Sequence, residues 1–123
     1  MIKLRKFMLT ILVLISLSTN AHSFMTYGEF KELIVSDETS AKWYLRGIIN
    51  GNLSHSRYMN IEKPENEQLY CPPKDIKFSM EHAVEMIQTE ANRIKSETSE
   101  DVNKTLVPLL YIWGMQDTYP CEN

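Results

Sequence analysis

The sequence predicts a small all-α protein: a single bundle of about four helices with one intrachain disulfide. Three observations carry that expectation. Met80, Ala83, Val84, Ile87, Ala91 and Ile94 recur at helical spacing, with Glu85, Gln88, Glu90, Arg93 and Lys95 on the other side. Thr26 and Glu29 stand at capping-box spacing, T-x-x-E, ahead of an apolar face. Two cysteines, Cys71 and Cys121, follow a leader with the features of a secretory signal.

That leader covers residues 1–23. Lys3, Arg5 and Lys6 form its basic start, Phe7 to Leu17 its apolar run, and Ala21 and Ser23 an A-x-A-like cleavage site. The run is too short to span a bilayer comfortably. The expectation is therefore a cleaved signal, no stable membrane anchor, and one helical domain over residues 24–123 that works outside the cytoplasm. Three of the thirteen basic residues lie in the leader and none of the sixteen acidic ones, so the exported chain has a formal charge of −6. Such a chain repels phosphates and is a poor nucleic-acid binder. It suits a basic protein partner, although acidity also serves solubility alone.

Outside the cytoplasm an even cysteine count in a small domain reads as a disulfide, and Cys71 with Cys121 is the one intrachain pairing. A metal pair or a redox couple is the alternative. Neither C-x-x-C spacing nor clustered histidine supports it, so no metal and no cofactor is expected.

The first helix is expected from Thr26, with Tyr27, Phe30, Leu33 and Ile34 on one face, and Ser36 to Ser40 as the break before the second. The second is expected from about Thr39 to Asn52, with Trp43, Tyr44, Ile48 and Ile49 as its apolar residues. Gly47 and Gly51 stand one turn apart in it. Each costs helix propensity, which is tolerable where another helix or a second copy approaches closely; packing within the chain is the favoured explanation. Leu53 to Tyr70 contains Pro64 and several charges with little periodicity, so it is expected as a long surface excursion, either functional or a variable insertion. Cys71-Pro72-Pro73 excludes a helix there. Ser79 is the expected N-cap of the third helix, with Phe78 and Ala83 as a hydrophobic staple. A fourth helix is expected from about Glu100, with Val102, Leu106, Leu109, Leu110 and Trp113 on its core face. Pro108 would kink it or mark a restart, and Gly114 would end it.

Catalysis needs a nucleophile with a base, a carboxylate pair or a metal set. His55 lies between Ser54 and Ser56 without a G-x-S-x-G context, and His82 falls on the Glu81/Glu85 side of its helix, where solvation is expected. Glu62, Glu65 and Glu67 imitate a glycosidase pair only as charge-rich sequence does. A non-enzymatic protein is the expectation.

Tyr44-Leu45-Arg46-Gly47-Ile48-Ile49-Asn50-Gly51 resembles a G-Y-I-x-G helix signature, Cys71-Pro72-Pro73 a following C-L-P element, and Tyr119-Pro120-Cys121 a closing F-P-C. In that order, after a signal peptide, the stretch from Trp43 to Cys121 resembles the Rap/Tai-type immunity proteins of bacterial type VI secretion. The resemblance implies a small helical periplasmic protein, often a homodimer, that binds and inhibits a secreted effector enzyme, a peptidoglycan amidase-like toxin. It also matches Cys71 and Cys121 to the family's late C-P and P-C cysteines. Many relatives have a further cysteine before the helix signature, where this chain has Ala41-Lys42-Trp43-Tyr44. Aromatic and Arg anchors typically dominate inhibitory contacts, and His55, Arg57, Tyr58 and Asn60 supply those types in the expected loop. Glu62, Glu65 and Glu67 would steer a basic toxin. The other reading is a small periplasmic acid-stress chaperone-like protein, also helical and disulfide-bonded.

Overall fold

The structure, a computed structural model, describes residues 24–62 and 68–122, and side chains for 24–55 and 68–122. The expected signal peptide lies outside the described residues. Four α-helices form the described fold: α1 (Tyr27–Ser36), α2 (Glu38–Glu62), α3 (Met80–Glu97) and α4 (Val107–Thr118), with a 3₁₀ turn at Val102–Lys104 before the last.

The start of α1 follows from its local sequence. The Glu29 amide donates to Thr26 Oγ1 at 3.3 Å, and the Thr26 amide donates back to Glu29 Oε2 at 2.8 Å, which closes the capping box. One residue, Asp37, then separates α1 from α2. Its amide donates to Leu33 O at 2.8 Å, while its carboxylate accepts the Ser40 amide at 3.1 Å and the Ser40 hydroxyl at 2.6 Å. Those donors hold the Asp37 carboxyl below its ordinary value.

The second helix is longer than its periodicity predicts. Its 25 residues span about 37 Å, and they include Leu53–Glu62, which the sequence reading assigned to a surface excursion. Ala41, Leu45 and Ile49 are buried and Leu53 is half-buried, whereas Ser54 and His55 are exposed. The apolar pattern fades because the helix outruns the core. The helix itself persists because extending a formed helix by one residue costs far less than nucleating one, and no Gly or Pro interrupts residues 53–62. Its last described residue is Glu62.

Ser79 caps α3 through a 3.1 Å bond from the His82 amide. Ala83, Met86, Ile87, Ala91 and Ile94 are buried along it, close to the expected face. Phe78 packs at the edge of the core and lies over the His82 ring, with centroids 6.4 Å apart. Glu90 departs from the pattern. Placed on the outer side by sequence, it is 2 % exposed.

Pro108 marks a restart. After the 3₁₀ turn the backbone extends through Thr105 and Leu106, and α4 begins with Pro108 in its first turn, where its missing N–H has no partner to lose. The extended residues clamp the start of α1: Tyr27 N donates to Thr105 O at 2.8 Å, and Val107 N to Met25 O at 2.9 Å. Gly114 does not end α4, which continues to Thr118. A Cβ at Gly114 would lie 2.8 Å from the Met86 carbonyl oxygen, so the glycine lets α3 and α4 meet backbone to side face. The core face of α4 is accordingly Val107, Leu110, Tyr111, Gly114 and Met115. Leu109 and Trp113, expected inside, are each 38 % exposed. The helix is apolar around most of its circumference, so hydrophobic pattern does not select a face and the close approach at Gly114 does.

The Cys71–Cys121 disulfide is present, with Cα atoms 4.9 Å apart and a sequence separation of 50. Around it, Cys71 N donates to Tyr119 O at 2.8 Å. Tyr70 is buried, and its hydroxyl donates to Asn52 Oδ1 at 3.1 Å, so the strap leading to Cys71 is held on α2.

Candidate functional site

The residues expected to form a projecting loop belong to two regions. His55 is exposed on α2. Arg57, Tyr58, Asn60 and Glu62 lie on the last turns of α2, and their side chains are outside the described set; Glu65 and Glu67 lie outside the described residues altogether. The loop assignment of residues 53–62 is thereby corrected.

The start of α2 presents a second surface. Trp43 is 64 % exposed, and the Arg46 guanidinium carbon lies 4.9 Å from its ring centroid. Gly47 and Gly51 are exposed, and among the described residues nothing lies within 4 Å of a Cβ built at either. Packing within the chain, the favoured explanation for the pair, is therefore corrected. Gly47→Ala and Gly51→Ala are each expected to raise stability by about 1 kcal/mol, or about 5 °C in Tm, because alanine recovers helix propensity without a clash. Thermal unfolding followed by circular dichroism checks this.

His82, expected to be solvated, is half-buried; its Nε2 and the Tyr119 hydroxyl are hydrogen-bonded at 3.0 Å. This contact joins the start of α3 to the tail carrying Cys121. Elsewhere between α3 and α4, Arg93 gathers three carboxylates: Glu90 through a close ion pair, Glu97 at 2.6 Å and Asp117 at 3.2 Å. Hydrogen bonding to Arg93 holds the Glu90 carboxyl below its ordinary value, and the neighbouring Glu90 pushes Asp117 up. Spacing on α3 makes Glu90–Arg93–Glu97 readable in sequence, but the arrival of Asp117 depends on how α4 docks.

At the opposite end, α1, Tyr44 of α2 and Leu106 enclose a groove of about 700 Å³. No linear pattern announces it, because its walls come from three separate elements. Among the described residues no group of three or more His, Cys, Asp or Glu is placed to hold a metal ion. Likewise, no described helix is long and apolar enough to cross a membrane.

The fold and its surfaces define a small, disulfide-stapled all-α domain. No protein-family model, curated protein or solved structure matches this chain.

Proposed function

We propose that this chain is a periplasmic immunity protein that binds and inhibits a cell-wall hydrolase, a peptidoglycan amidase-like effector delivered by type VI secretion. The observation that carries the proposal is the Cys71–Cys121 bond. It joins the two cysteine elements through which the sequence resembles the Rap/Tai-type immunity proteins, within an all-helical domain of the kind that resemblance implies. The −6 charge of the exported chain adds support, because it would accelerate encounter with a basic enzyme. So does the position of Arg57 and Tyr58, anchor types, on the last turns of a long helix.

Calorimetric titration of the exported, oxidised chain into the product of the adjacent gene, with hydrolase activity followed in parallel, tests the proposal. Saturable nanomolar binding that abolishes activity is the expected result. Arg57→Ala with Tyr58→Ala is then expected to weaken binding at least about a hundredfold, as for paired anchor residues. Absence of binding to any neighbouring secreted product would overturn the immunity reading. Unchanged affinity in the double variant would overturn the assignment of the contact to α2.

A further inference from the structure

The groove at the start of α1 has the make-up of a docking site. Leu33, Tyr44 and Leu106 line it, and Phe24, 67 % exposed, stands at its mouth. Its volume of about 700 Å³ lies within the range of ligand-binding clefts. Its charged lining residues are Glu29 and Glu32, with no Lys, Arg or His among them. Glu29 is engaged in capping α1, whereas Glu32 is exposed and makes no ion pair with any described residue. The Tyr44 hydroxyl is buried against the Met25 backbone without a hydrogen bond of normal geometry, and burial raises its pKa.

We propose that this groove docks a cationic, apolar segment of a partner protein, with an aliphatic side chain against Leu33 and Leu106 and a Lys or Arg beside Glu32. Charge argues for this occupant. The lining is acidic and the exported chain carries −6, so a second copy, equally acidic, would meet repulsion where a basic partner gains attraction. Leu109 and Trp113 of α4 are further exposed apolar residues, outside the lining of the groove. This inference does not rest on the immunity reading, since any basic protein with such a segment qualifies.

The test uses a fluorescein-labelled peptide of leucine and lysine in helical repeat, with its leucine–glutamate counterpart as control. Binding to the exported, oxidised chain is read by anisotropy. The lysine peptide is expected to bind and the glutamate peptide not to. Glu32→Lys is expected to weaken binding at least about tenfold, because like charges across an interface strongly oppose association. Glu85→Lys, the same charge change on the exposed side of α3, is expected to change it less than about twofold, as a distant screened charge should. Circular dichroism confirms that both variants are folded. Equal weakening by the two variants, or equal binding of the glutamate peptide, would overturn the proposal. A dimer of the native chain that Glu32→Lys dissociates in sedimentation would also overturn it, by giving the groove to a second copy. No hydrolase enters the assay, so its outcome is separate from that of the immunity test.

Discussion

Replacing Cys71 and Cys121 together by serine is expected to lower stability by about 4 kcal/mol and Tm by about 20 °C. The two residues close a loop of 50 residues, and the chain-entropy account gives a cross-link of that span its stabilisation through the unfolded state. A domain of about a hundred residues has only about 5–15 kcal/mol in total, so the loss is a large fraction of it. The bond also has a local task. It fixes the tail after α4, where Tyr119 accepts the Cys71 amide and its hydroxyl meets His82. Urea unfolding of the native and doubly substituted chains measures the loss. Hydrogen exchange is expected to show the amides of Cys71 and Tyr119 losing protection first. A midpoint unchanged by the substitution would mean that helix packing alone sets the stability.

Gly114→Val is expected to cost about 3 kcal/mol, the upper part of the range for overpacking. A Cβ there would stand 2.8 Å from the Met86 carbonyl oxygen and 3.3 Å from the Met86 carbonyl carbon. The obstacle is backbone, which does not rotate away as a flexible side chain does. Helix propensity works in the opposite direction, since any residue but proline improves on glycine by up to about 1 kcal/mol. The clash is the larger effect because α3 and α4 form the most extensive helix–helix contact of the fold, and separating them loosens Ile87, Leu110 and Met115, all fully buried. The contrast with Gly47→Ala and Gly51→Ala is diagnostic. Substitution at three helical glycines should move stability in opposite directions according to what faces the missing Cβ. Thermal denaturation of the three variants reads the difference directly.

Features set by neighbours in the chain were legible without the fold. The Thr26–Glu29 box, the Ser79 cap and the break around Asp37 depend on side chains within three residues of the groups they satisfy. The core face of α3 was legible because that helix has a clear polar side. Glu90 escaped because Arg93, one turn along, together with Asp117 allows a carboxylate to be buried there. The tail of α2 was misread because periodicity reports burial, and a helix that leaves the core keeps its backbone bonds while losing its apolar stripe. Of the expected contact residues, His55, Arg57, Tyr58, Asn60 and Glu62 belong to that helical tail, while Glu65 and Glu67 lie outside the described residues.

By itself, then, the sequence determined a four-helix domain, most of its helix starts and the Cys71–Cys121 pairing, because capping geometry, helical period and a single pair of cysteines are local or combinatorial matters. Tertiary structure alone decided which side of α4 faces inward, that Gly114 is a crossing point and that Gly47 and Gly51 are bare. It also decided that Phe24, Leu33, Tyr44 and Leu106 enclose one groove. Each of those depends on which surfaces meet when helices pack, and an element that is apolar on most sides accepts several answers until close packing selects one.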